Sequence, residues 1–310
     1  MIKPKRLKQG DTIGLVAPAS PTSNINIQKS YNFLIEMGFK VKMSKIDNTY
    51  GYLAGTDELR AKELNSMFQD KEVDGIICLR GGYGTPRILN LLDYQVIKEN
   101  PKVFIGYSDI TALHIAFSQL SNLVTFHGPM VDSDMTRNFD DFSKNSFYNS
   151  IYNNEFDPII KNPPNEPIIT INKGIAEGSI IGGNLTLITG SLGSNYEIDT
   201  KGKILFIEEI NEEPYKVDGM FNQLILSNKF QESEGIILGD FNNCLAKESE
   251  YNNPFTLDQI IDDLIKPLNK PTIYNLKSGH CKPILTIPFG VNARLDANKG
   301  ELTILEKPTL

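Results

Sequence analysis

Between residues 12 and 127 the chain alternates short apolar runs with longer segments of helical spacing, and this constrains its fold more than any other feature. The apolar runs are "TIGLVAP", "FKVKMS", "VDGIICLR", "KVFIG" and "LVTFHGP". The segments between them, "NIQKSYNFLIEMG", "DELRAKELNSMFQD", "TPRILNLLDY" and "TALHIAFSQLS", repeat apolar residues at three- and four-residue intervals. Gly38 closes the first of these as a helix C-cap, and Pro86 sits near the first turn of the third. No hairpin turn joins one apolar run to the next. Strands that must be joined through helices lie parallel, and a parallel sheet is covered on both faces, so its strands are apolar throughout. Such sheets bind ligands at the carboxyl ends of their strands. The two least ordinary loops, "RGGYG" after the third run and "GYSD" after the fourth, both fall there.

The pattern fades between Asn145 and Pro167, where "NNEFDPIIKNPPNEP" has the Asn and Pro content of a linker. Beyond it, strands and helices mix without regular alternation: "GSIIGGNLTLITGSLGS", "GKILFIEEI", "YKVDGMFNQLILSN", "SEGIILGDF", "TLDQIIDDLIKPL", then several short strands from Lys270 onward. A chain of 310 residues fits two ordinary domains. The expected organisation is an N-terminal parallel-sheet α/β domain, residues 1–160, and a smaller mixed α/β domain, residues 161–310.

Composition narrows the function. The net charge of −7 and the lack of a basic stripe interleaved with aromatics argue against a nucleic-acid partner. No run approaches the roughly 18 apolar residues of a membrane helix. "IGLVAPA" is short for a signal-peptide core and reads as a first strand, so a cytoplasmic protein is expected. Three cysteines, Cys78, Cys244 and Cys281, give no disulfide framework and no metal-binding spacing, and three histidines do not make a His-rich zinc site.

Candidate chemistry starts at Ser108. A bend from strand to helix exposes a serine hydroxyl beside the free amides of a helix N-terminus, which favours an oxyanion. "GYSDI" lacks the second glycine of G-x-S-x-G, however, and on this segment alone the reading of Ser108 as a helix cap is favoured. "LRGGYG" lets backbone amides approach a ligand closely. It matches neither phosphate-loop spacing, so it is either an oxyanion-hole donor, at Gly81 or Gly82 beside the Asp109 N–H, or a plain tight turn. Glu208 and Glu209 end an apolar strand and point to opposite faces. His280, in "KSGHCKP", is a candidate general base. His127 at a strand end competes with it, and His114 inside a helical pattern does so more weakly. Cys78 and Cys281 read as structural, with Cys281, beside His280, a weak alternative nucleophile. Arg80 and Arg87 lie near the same sheet edge and read as well as surface or structural residues.

Taken together, "GLVAPAS", "LRGGYGTPRIL", "FIGYSDITALH", "TFHGPM", "GGNLTLI", "LFIEEINEEPYKVDGMFNQL" and "SGHCKPILTIPFGVNARLDA" resemble the LD-carboxypeptidase family of serine peptidases over nearly the whole chain. That family includes murein tetrapeptide carboxypeptidases and microcin C self-immunity peptidases. The resemblance implies a catalytic triad of Ser108, Glu208 and His280, with backbone amides of Gly82 and Asp109 as the oxyanion hole. It implies an active site between the two domains, no metal or cofactor, and commonly a homodimer. The implied reaction releases terminal D-alanine from murein tetrapeptides in peptidoglycan recycling. Two alternatives stay open: hydrolysis of a toxic aminoacyl-nucleotide by an immunity-type peptidase, and a non-catalytic small-molecule binding protein.

Overall fold

The apolar runs become the parallel strands of a first sheet, buried except at the edge strand made by Lys40–Met43. In the computed structural model, which describes residues 1–45, 49–153, 155–246 and 254–310, these are β1 (Thr12–Val16), β2 (Lys40–Met43), β3 (Gly75–Cys78), β4 (Val103–Gly106) and β5 (Thr125–His127). They run parallel in the order β2-β1-β3-β4-β5. Ile13, Leu15, Ile76, Ile77, Phe104, Ile105 and Phe126 are fully buried along them, as expected of a sheet with both faces covered. The connecting helices include α1 (Asn24–Glu36), α2 (Asp57–Gln69), α3 (Tyr94–Glu99) and α4 (Thr111–Ser121). Ser23 caps α1 and Thr56 caps α2, each side-chain oxygen accepting an N–H of the first turn. Gly38 follows α1 at φ +90° and donates its N–H to the Ile35 carbonyl.

The segment "TPRILNLLDY" is two elements. Thr85–Leu91 is a 3-10 helix, and Asp93 then starts α3 by accepting the N–H groups of Gln95 and Val96. A sixth strand, β12 (Ile287–Phe289), closes the sheet antiparallel to β5. It comes from far down the chain, so this first compact unit comprises residues 1–157, 284–290 and 307–310.

The second unit comprises residues 158–283 and 291–306. Its strands are β6 (Ile159–Ile160), β7 (Ile169–Asn172), β8 (Ile175–Asn184), β9 (Lys203–Ile210), β10 (Gly235–Asn242), β11 (Thr272–Tyr274), β13 (Asn292–Asp296) and β14 (Glu301–Ile304). They form one mixed sheet in the order β6-β14-β13-β8-β9-β10-β11-β7, in which β8, β9, β10 and β11 run parallel. The sequence places the division near residue 160. In the structure the first crossing falls between Asp157 and Pro158, but the chain then returns twice to the first unit. Of the expected linker, Asn154 lies outside the described residues. Among the described residues, no helix is long and apolar enough to cross a membrane.

Candidate active site

In the first unit, the order β2-β1-β3 reverses direction between β1 and β3, and a reversal of this kind leaves a crevice at the carboxyl ends of the strands. Three loops gather there. The loop after β1 carries Ser20, the loop after β3 carries Gly81, Gly82 and Gly84, and the turn after β4 carries Ser108. Ser20 donates its N–H to the Gly81 carbonyl at 3.4 Å and accepts the Tyr83 N–H on Oγ at 3.1 Å.

Ser108 adopts φ +64°. This left-handed conformation costs a non-glycine residue about 1–2 kcal/mol. The residues at the cap positions of the helical turns are Tyr107 and Ile110, and neither turn carries a side-chain cap. Ser108 therefore does not occupy the N-cap position that the cap reading required. It is half-buried between the buried residues Tyr107 and Asp109. The absent second glycine of G-x-S-x-G has a physical counterpart in Ile110, whose side chain lies over Gly106. A Cβ at Gly106 would stand 2.9 Å from Ile110 Cγ1. The bend thus needs its first glycine and fills the space above it with isoleucine.

The glycine loop passes close to this serine. A Cβ on Gly81 would come within 3.1 Å of Ser108 Cβ and 3.3 Å of its Oγ. Gly82 has φ +116°, and a Cβ there would overlap Ser20, 2.6 Å from its Cβ. Asp109 is buried. Its carboxylate accepts the N–H of Gly84 at 3.2 Å and of Thr85 at 2.8 Å, while its carbonyl accepts the Thr85 hydroxyl. Burial pushes the Asp109 carboxyl above its usual range, opposed by these bonds and by the Arg60 guanidinium.

In the second unit, His280 Nδ1 lies 2.6 Å from Glu208 Oε2, and the His280 N–H points to the same oxygen at 3.3 Å. The Glu208 side chain is fully buried and that of His280 is 14% exposed. Gly279, at φ +110°, lets the loop lie on the carboxylate, since a Cβ there would be 2.6 Å from Glu208 Cγ. Asn242 holds the loop from the other side by donating to the His280 carbonyl. Glu209 points away, as strand alternation requires. Its carboxylate accepts Asn184 Nδ2 at 2.8 Å, the Thr186 N–H at 2.8 Å and hydroxyl at 2.7 Å, and the Ile210 N–H at 2.8 Å. Burial raises the Glu209 pKa despite these donors. The two acids are therefore different in kind: one faces an imidazole, the other is saturated by structural donors.

The remaining candidates have structural surroundings. His114 is fully buried. Its Nε2 donates to the Gly106 carbonyl at 2.8 Å, Thr125 Oγ1 lies 2.9 Å from Nδ1, and burial lowers its pKa to about 4. His127 is fully buried against the rings of Tyr107 and Phe289, with centroids 5.8 and 5.4 Å away. The three cysteines are buried and unbridged, and burial raises the thiols of Cys78 and Cys244, the latter to about 12. Arg87 pairs with Asp57 at 2.9 Å, and Arg80 Nη1 reaches the Pro21 carbonyl at 3.4 Å. A cavity of about 650 Å³ lies at the opposite, amino-terminal edge of the first sheet, lined by Lys3, Lys5, Arg6, Lys8, Lys71 and Lys102 among others. It contains none of the candidate residues.

Sequence reasoning missed the supporting residues. Ser20 and Arg60 brace the glycine loop, and Asn184 and Thr186 take up Glu209. Arg60 left a signal, because it falls on the face of α2 that buries Ala61, Leu64, Met67 and Phe68.

Comparison with known proteins covers both units. The family profile described as the LD-carboxypeptidase N-terminal domain matches residues 13–128, and that of the LD-carboxypeptidase C-terminal domain matches residues 177–295. A probable murein peptide carboxypeptidase of Bacillus subtilis (strain 168) is 42% identical over 298 residues, covering 95% of this chain and 91% of the relative. The solved structure of MccF in complex with glutamyl sulfamoyl guanosine superposes with a TM-score of 0.91 at 26% identity, covering 100% of both chains. The muramoyltetrapeptide carboxypeptidase of Oxalobacter formigenes gives a TM-score of 0.83 at 30% identity, covering 96% of this chain and 100% of that one.

Proposed function

The chain belongs to the LD-carboxypeptidase family, and from that premise we propose that it is a serine carboxypeptidase releasing terminal D-alanine from murein tetrapeptides. The observation that carries the reading is the Glu208–His280 contact at 2.6 Å, taken with a serine held at φ +64° beside a glycine loop. Ser108 Oγ attacks the carbonyl carbon of the scissile bond while His280 Nε2 takes the hydroxyl proton. Glu208 holds Nδ1–H and stabilises the imidazolium so formed. The Gly82 and Asp109 amides donate to the oxyanion of the tetrahedral intermediate. His280 then gives its proton to the amine of D-alanine, which leaves. Water attacks the acyl-serine with His280 again as base, and the tripeptide is released with Ser108 regenerated.

The 42% identity to a murein peptide carboxypeptidase supports the substrate class. One observation favours a second reading. Tyr52 and Tyr83, 64% and 50% exposed, pair at 5.6 Å beside the glycine loop and could stack on a nucleobase. The similarity to MccF bound to glutamyl sulfamoyl guanosine points the same way. A substrate panel decides. Murein tetrapeptides with lysine or diaminopimelate at position three are assayed beside an aminoacyl sulfamoyl adenosine. D-alanine release with little cleavage of the nucleotide analogue supports the carboxypeptidase, and the reverse moves the chain to the immunity branch. The same reading includes a cytoplasmic homodimer, which cell fractionation and sedimentation check.

A further inference from the structure

The loop that carries Gly82 is gripped at Gly84 through both backbone groups of that residue. Gly84 donates its N–H to Asp109 Oδ1 at 3.2 Å, and its carbonyl accepts Arg60 Nη1 at 2.9 Å. Both gripping side chains are buried, Arg60 at 3% and Asp109 at 1% exposure. Arg60 also donates to the Pro18 carbonyl of the loop after β1 and pairs with Asp57 at the start of its own helix. Asp109 also holds the Thr85 N–H at 2.8 Å. Gly84 is at φ +131°, and a Cβ there would lie 2.6 Å from Leu53 Cδ2 and 2.9 Å from Arg60 Nη1, so glycine is what leaves room for Leu53 and for the Arg60 guanidinium.

Two buried opposite charges converging on one loop are costly to desolvate. A surface turn that only had to reverse the chain would not need them. We propose that Asp109 and Arg60 are positioning residues that clamp Gly84 and so set the Gly82 amide relative to Ser108. The inference rests on the serine-peptidase reading, in which Gly82 N–H is an oxyanion donor. Asp109 then serves twice. Its own N–H is the second donor, and its carboxylate fixes the loop that bears the first, so one residue sets the spacing of both. Arg60 completes the arrangement by tying the same loop to the segment after β1. Both side chains act through Gly82; Asp109 meets the substrate only through its backbone N–H.

The test uses Asp109→Asn, which keeps the shape but turns an N–H donor toward an amide N–H, and Arg60→Lys, which keeps the charge but loses the fork. D-alanine release, thermal stability and affinity for two tetrapeptide analogues are measured on each. One analogue stops at residue three and carries an aldehyde or boronate in place of the scissile carbonyl, which forms a tetrahedral adduct with a serine. The other replaces the scissile carbonyl by a methylene and so has no oxygen for the hole. A displaced donor costs about 100-fold. The clamp therefore predicts that kcat falls by about ten- to hundredfold with KM within about threefold. Affinity for the adduct-forming analogue should fall by the same factor, and affinity for the methylene analogue should be unchanged. Folded variants with wild-type kcat, or variants that lose both analogues equally, overturn it. Should both variants fail to fold, Ser20→Ala removes the third tether of the loop, the acceptor for Tyr83 N–H, and must show the same split in weaker form; wild-type kinetics there overturns the proposal.

Ser108→Ala, run alongside, separates the two ideas. If it retains turnover, the serine reading has failed, and the clamp is judged by hydrogen exchange alone. Gly84 and Thr85 amides that exchange more than about tenfold faster in Asp109→Asn uphold the grip, and unchanged exchange overturns it.

Discussion

Exchanging Glu208 for glutamine isolates what the carboxylate does for His280. Oε2 receives both Nδ1–H and the His280 N–H, while Oε1 is buried and meets no hydrogen-bond partner among the described residues. An amide in this site keeps its oxygen toward His280, because two donors meet there, and so buries its NH2 where nothing accepts it. The imidazole tautomer survives but the negative charge is lost. At an effective dielectric of about 20, unit charges about 3 Å apart attract by about 5 kcal/mol. Part of that is offset by rearrangement, so about 4 kcal/mol of transition-state stabilisation should go, a fall in kcat of about 1,000-fold. Glu209→Gln makes the contrast. Its carboxylate serves Asn184, Thr186 and Ile210, so that variant should lose about 1–3 kcal/mol of stability while turnover per folded molecule stays within about threefold of wild type. The assay is D-alanine release normalised to folded protein from thermal melts. If Glu209→Gln is the more damaging to turnover, the assignment of roles to the two acids is wrong.

Gly82→Ala places a Cβ against Ser20 at φ +116°, and kcat should drop by about 100-fold with KM little changed; a parallel rise in KM would mean that the loop binds substrate rather than the oxyanion. His114 is held neutral, burial lowering its pKa from the usual 6.5 to about 4. Its contribution is therefore complete above pH 6.5 and lost as pH falls toward 4, up to about 3 kcal/mol. His114→Leu should flatten the decline of Tm between pH 7 and 4.5, and an unchanged slope would refute the assignment. Burial of Cys78 and Cys244 should leave native protein slow to alkylate at pH 8 with activity retained; rapid inactivation by iodoacetamide would contradict their structural role.

The parallel sheet was legible because β1, β3 and β4 are apolar and almost wholly buried and the segments between the strands keep helical spacing, although the edge strand β2 alternates lysine with apolar residues. The return of Ile287–Phe289 to that sheet was not, since "TIPF" reads like any other short strand of the C-terminal region and its pairing with β5 is a tertiary fact. At the site, alternation along β9 showed that Glu208 and Glu209 face opposite ways, but only the loop at Gly279 determines which of them meets His280. The bend at Ser108 was obscured because Ile110 stands where the usual motif has glycine. Arg60 was hidden for a related reason. A charged residue on the buried face of a helix looks like a pattern error until the carbonyls of Pro18 and Gly84 are seen converging on it.

The central claim is that Ser108 is the nucleophile, and Ser108→Ala tests it most directly. Purified wild type and variant are incubated with murein tetrapeptide, and free D-alanine is followed over time. The account predicts steady release by wild type and loss of about 10⁴-fold or more in the variant at unchanged Tm. Release by a folded Ser108→Ala protein at a rate near wild type would contradict it.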